Sequence, residues 1–71
     1  MRTLHRALAE NRRLELVLSF PFRPETRVAQ RVDPLGLVAK GHSWYLVCAG
    51  EGHTRVHRVS LIVEAYILHE Q

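Results

Sequence analysis

Apolar and polar positions along this chain change period once, close to the N-terminus. Between Thr3 and Asn11 they recur with helical spacing: Leu4 and Leu8 are one turn apart and share a face with Ala7 and Asn11. The spacing predicts a helix over 3–11, with Thr3 as its N-cap and Asn11 closing it in the left-handed conformation. Such a short helix is marginal alone and needs a surface to dock on. It reads as a cover for a core, or as the remnant of a longer helix from an upstream domain.

From Leu14 the period is two. Leu14, Leu16, Leu18 and Phe20 alternate with Glu15, Val17 and Ser19, which predicts a strand with one core face. Pro21-Phe22-Arg23-Pro24-Glu25 interrupts it, because each proline removes a donor and fixes its φ. Phe22, between the prolines, reads either as an exposed interaction tip or as a plug folded back on the core. An extended pattern resumes over 27–32, Asp33-Pro34 marks a turn or bend, and 35–40 is the next strand. Two hairpin turns, Gly41-His42-Ser43 and Gly50-Glu51-Gly52-His53, flank the strand 44–49. A return strand over 54–59, a turn over 60–64 and a last strand over 65–69 complete the chain.

The strand 44–49, Trp-Tyr-Leu-Val-Cys-Ala, is apolar at every position. A strand exposed on one side would alternate, so both of its faces are expected to be covered. One cover would be a barrel interior, the other the N-terminal helix or a second subunit. One helix followed by five or so short antiparallel strands predicts a mainly β domain, a small, strongly bent sheet or closed barrel.

Composition narrows the function. The 71 residues, 46% apolar and 24% charged, exclude collagen-like, low-complexity and disordered chains and fit one domain. A core of this size supplies about 3–5 kcal/mol of net stability, and Cys48, the lone cysteine, can form no internal disulfide. An oligomer, a ligand or a neighbouring domain is therefore expected, and a multi-step enzyme pocket is not. The net charge is +3, and nine of the ten basic residues are arginine, the side chain best suited to bidentate phosphate contact. No run approaches the ~20 apolar residues of a membrane span. The N-terminus lacks a signal-peptide stretch, and an unpaired cysteine in an apolar strand fits a cytoplasmic protein.

The run Asp33-Pro34-Leu35-Gly36-Leu37-Val38, then Gly41, Trp44-Tyr45-Leu46-Val47 and Arg55-x-x-Arg58 resembles the WYL domain. Leu8-Ala9 and Arg12-Arg13-Leu14 extend the resemblance upstream, so it covers nearly the whole of 1–71. It implies an Sm-like, SH3-type barrel over 13–69 behind the helix. It also implies a bacterial transcription regulator in which this domain follows a helix-turn-helix DNA-binding domain, senses an anionic ligand and assists oligomerisation. No DNA-reading helix stands in these residues, so the chain is expected to be a fragment of a longer regulator. Two departures matter. The family's Arg-x-Phe-Arg-hydrophobic-Asp-Arg-Ile pattern stands here as Arg55-Val56-His57-Arg58-Val59-Ser60-Leu61-Ile62, with one of the paired arginines replaced by Leu61. The tyrosine frequent near the end of the first strand is replaced by Leu18.

The resemblance makes Arg58 the main expected ligand contact, with Arg55 beside it. The two have opposite parity on a strand, so they share a face only at a bulge or barrel edge. His57 is either a stacking or phosphate-donating group, or a half-buried replacement for a core aromatic. Arg31 could border a basic groove, while Arg12, Arg13 and Arg27 read as a solvated face. Trp44 and Tyr45 are either platforms for bases or parts of a core or interface. His53 and His57 lie about 13 Å apart along a strand, too far for one metal ion, and no metal or other cofactor is expected. Ser43, Ser60 and Cys48 lack a base-and-acid arrangement for nucleophilic catalysis, so the chain is not expected to be an enzyme. The leading expectation is a regulatory module binding a nucleic-acid or nucleotide-like anion on a basic patch of Arg58 and Arg55. The alternatives are a dimerisation module without ligand and a free-standing Sm-like RNA-binding protein; among oligomers a homodimer is favoured.

Overall fold

The computed structural model describes residues 2–69. Helix α1 (Arg2–Glu10) is followed by β1 (Leu14–Phe20), β2 (Arg23–Lys40), β3 (Ser43–Gly50), β4 (His53–Arg58), a 3-10 turn (Val59–Leu61) and β5 (Ile62–Ile67). Met1, Glu70 and Gln71, part of the expected 1–71 domain, lie outside the described residues.

The helix ends as expected and begins one residue earlier. Asn11 takes φ 54. Its N–H bonds the Leu8 carbonyl at 3.3 Å, and the Arg12 N–H bonds that of Ala7 at 2.9 Å. This is a Schellman closure, which the short polar side chain of asparagine tolerates. Thr3 lies inside the helix and is not its N-cap.

All strand pairs are antiparallel, in the order β4-β3-β2-β1-β5. The segments expected as two strands, 27–32 and 35–40, are one 18-residue strand, and it already includes Pro24. Pro24 is tolerated because that half of β2 pairs on one side only, with β1. The second half pairs with β3, and the register shifts between Pro34 and Gly36. Asp33-Pro34 therefore redirects a strand without ending it. Strand β4 begins one residue earlier than expected because the turn is only Glu51-Gly52 and Gly50 already pairs with His53, and β5 begins earlier, at Ile62, because only the short 3-10 turn precedes it. These two edge strands do not pair with each other, so the sheet is not closed.

One core sits inside the bend. Leu14, Leu16 and Leu18 of β1, Val32 of β2, and Leu46 and Cys48 of β3 join Leu4 and Ala7 of α1. Each buried leucine contributes roughly 1.5–3 kcal/mol. Phe20, expected on the same face, is 42% exposed, because the register of β1 against β2 shifts between Leu18 and Phe20. Phe22 projects into solvent at 96% exposure, so it is a tip and not a plug. The helix packs against β2 and β5. With Leu4 and Ala7 in the core, it is not the expected second cover of β3, whose outward residues Tyr45, Val47 and Ala49 are half-buried.

Candidate functional site

The register between β3 and β4 decides where the arginines go. Tyr45 stands opposite Arg58, Leu46 opposite His57 and Cys48 opposite Arg55, without a bulge. Directly opposed residues share a face. Arg55 and His57 thus lie on the core side with Leu46 and Cys48, while Arg58 lies on the outer side with Tyr45. The expected single patch of Arg55 and Arg58 is two separate places.

The first place is a cleft of about 260 Å³ where the β2–β3 turn meets the 3-10 turn, lined by His42, Ser43, Trp44, Arg58, Val59 and Ser60. Trp44 is 46% exposed. It stands at the entrance of β3, opposite Ala39 and beyond the end of the core. Tryptophan, arginine, histidine and two serines thus line the cleft, and no carboxylate does. Arg58 also reaches over the outer face, its guanidinium carbon 5.9 Å from the centroid of the Tyr45 ring. That neighbour holds the Tyr45 phenol below its ordinary pKa, first by the hydrogen bond from Arg58 and then by its charge.

The second place is a cleft of about 400 Å³ between the unpaired edge of β2 and the β3–β4 turn, lined by Gln30, Arg31, Gly50, Glu51 and Arg55 among others. The turn has positive φ at both Glu51 (51°) and Gly52 (80°), the geometry that matches the twist of a two-residue hairpin. It approaches β2 so closely that a Cβ on Gly50 would stand 3.9 Å from the Arg31 carbonyl oxygen. Cys48 and His57 border this side. Burial raises the Cys48 thiol pKa and lowers that of His57, and the nearby Arg55 charge lowers both. Two buried polar atoms lack partners among the described residues, Gln30 Oε1 and His57 Nε2.

Elsewhere the arginines form exposed pairs. Arg12 bonds Glu10 at 3.0 Å and Arg13 bonds Asp33 at 2.9 Å, while Arg27 bonds the Pro24 carbonyl. Pairs of this kind contribute about 0–1 kcal/mol. No group of three or more His, Cys, Asp or Glu side chains among the described residues is placed to hold a metal ion. No described helix is long and apolar enough to cross a membrane.

The Trp44–Tyr45–Leu46 strand, the bent Asp33–Val38 segment and the β4 arginines thus stand together in one small sheet. The family model of the WYL domain matches residues 1–67. The chain belongs to the WYL domain family. WYL domains are commonly found in bacterial transcription regulators. No curated protein and no solved structure matches the chain significantly.

Within this WYL domain the altered pattern over 55–62 has two structural consequences. Leu61, where the family's second arginine stands, is half-buried in the 3-10 turn, and its carbonyl accepts a 3.4 Å hydrogen bond from Ser19 Oγ. Ser60, in place of the acid, lines the Trp44–Arg58 cleft and removes a negative charge from it. Gln30 and Glu51 escaped the sequence reading. Glu51 carried one signal, a carboxylate in a Gly-x-Gly turn where asparagine or aspartate is the usual choice.

Proposed function

We propose that this WYL domain is the ligand-sensing part of a transcription regulator, and that it binds a nucleic-acid or nucleotide-like anion in the cleft of Trp44 and Arg58. That the exposed Trp44 and Arg58 line one cleft without a carboxylate supports this reading. The indole offers a sequence-tolerant stacking surface, and Arg58 offers a forked pair of donors to a phosphate. His42, Ser43 and Ser60 add donors at the rim. Ligand binding would favour one arrangement of this domain against its neighbours and so bias an attached helix-turn-helix domain. The setting is the bacterial cytoplasm.

Fluorescence anisotropy of short labelled single-stranded DNA and RNA at two salt concentrations tests this reading. Binding should weaken linearly with salt on logarithmic axes, and Arg58→Ala should make the slope shallower. Trp44→Ala should lower affinity for bases without changing the slope. Equal binding by the wild type and both variants overturns the proposal.

A second reading has its own observation. Val38 and Val56 are 50% and 59% exposed and adjoin Tyr45 and Val47 on the outer face of β2, β3 and β4. A homodimer through this face would supply the second cover that the all-apolar β3 strand calls for. Sedimentation of the wild type and Val56→Glu decides it: a dimer that the substitution dissociates supports the interface, and a monomer in both removes it.

A further inference from the structure

The outer side of the sheet carries charge of opposite sign on its two halves. On β2, β3 and β4 the directly opposed rows are Val38–Tyr45–Arg58 and Gly36–Val47–Val56, and directly opposed residues share a face. Lys40, two residues beyond Val38 along β2, lies on the same side. This half is therefore apolar with a cationic rim. A Cβ on Gly36 would meet nothing within 4 Å, so the second row is open at its β2 end. The carboxylate on this side, Asp33 opposite Ala49, is held by Arg13 at 2.9 Å.

On β1 and β5 the outward rows are Glu15–Tyr66 and Val17–Glu64. Tyr66 is 52% exposed, and its hydroxyl donates to Glu64 at 2.6 Å. Arg31 of β2 stands opposite Glu15, so the negative charge gathers toward the free edge of β5, at Glu64. The two phenols register the difference: Arg58 first, and Lys40 after it, lower the pKa of Tyr45, whereas Glu64 first, and Glu15 after it, raise that of Tyr66.

The two halves face apart. A straight strand of 18 residues would span about 60 Å, whereas the longest extent of the protein is 36 Å, so β2 bends between its β1-paired and β3-paired parts. The core fills the inside of the bend, and the outer halves diverge. Contact between like halves of two copies would set Lys40 and Arg58 against their own counterparts. Contact between unlike halves sets them against Glu64 and Glu15.

We propose that the basic, apolar half of the outer face binds the acidic β1–β5 half of a second copy of this chain, head to tail. Val38, Tyr45, Val47 and Val56 cover Val17 and Tyr66, while Lys40 and Arg58 meet Glu64 and Glu15. The proposal rests on the second reading above, that a second copy covers β3, and names the surface that does so. Because the halves diverge, each copy keeps one half free for a third, and the assembly continues into a ring or an open chain.

Sedimentation of the wild type at rising concentration, beside Lys40→Glu, Glu64→Lys and the double variant, tests the pairing. Lys40 and Glu64 are both exposed, and circular dichroism checks that each variant stays folded. The wild type should pass beyond the dimer, less so at high salt. Each single reversal should weaken association about tenfold or more, because it sets like charges together. The double variant should regain it, since every contact is then reversed on both sides. Assembly that stops at the dimer, survives Glu64→Lys, or is not regained by the double variant would overturn the proposal. Assembly broken by Val56→Glu and untouched by Glu64→Lys refutes the unlike pairing alone and leaves the second reading standing; a monomeric wild type removes both.

Discussion

Arg58 lies over Tyr45: Nη2 is 3.5 Å from the phenolic oxygen, and the guanidinium carbon is 5.9 Å from the ring centroid. The contact follows from the β3–β4 register, which places the two residues directly opposite on the outer face. Tyr66 has the reverse surroundings, donating its hydroxyl to Glu64 at 2.6 Å, and that bond raises its pKa.

The two tyrosines should therefore titrate apart, Tyr45 below the ordinary tyrosine range and Tyr66 above it. Ultraviolet difference spectra across the alkaline range read both transitions. Arg58→Ala should move the earlier transition up and leave the later one in place; a single unresolved transition in the wild type would contradict the contact.

His57 predicts a pH effect on stability. Burial lowers its folded pKa, with Arg55 adding to the shift, so between that value and the unfolded pKa near 6.5 the unfolded chain binds more protons. Stability from this residue is present above about pH 6.5 and is lost as the pH falls through the folded pKa. The melting temperature should drop between pH 7 and 5. His57→Phe, which restores the family's aromatic, should flatten that drop, and an unchanged profile would show that another group carries it.

The helix closure is testable at Asn11, whose φ of 54 suits glycine as well. Asn11→Gly should be nearly neutral, whereas Asn11→Ala should cost about 1 kcal/mol, since alanine lacks both the flexibility and the local hydrogen bonding that ease the left-handed conformation. Urea unfolding of the two variants gives the difference directly.

Leu46 and Cys48 are both fully buried on the inner face of β3. Leu46→Ala should cost about 2–5 kcal/mol, comparable with the whole stability of a domain this small, so circular dichroism should find it largely unfolded at 25 °C. Val56→Ala, on the exposed face, should stay within about 0.5 kcal/mol. The Cys48 thiol, raised in pKa by its burial, should react with a disulfide reagent only as fast as the chain opens.

The sequence by itself determined the local elements. The helical spacing of Leu4 and Leu8, the alternation of Leu14, Leu16 and Leu18, the left-handed Asn11 and the two glycine turns each depend on neighbours a few residues away. The family was legible too, because the spacing from Asp33 through Trp44-Tyr45-Leu46 to Arg58 survives in linear form. Tertiary structure decided what depends on distant partners. That 23–40 is one strand follows from its pairing with β1 on one half and β3 on the other, which no local pattern records. The separation of Arg55 from Arg58 follows from an unbroken register against β3, where a single bulge would have joined them. The convergence of Gln30, Glu51 and Arg55 arises because the β3–β4 turn folds back on the edge of β2, bringing together residues up to 25 positions apart.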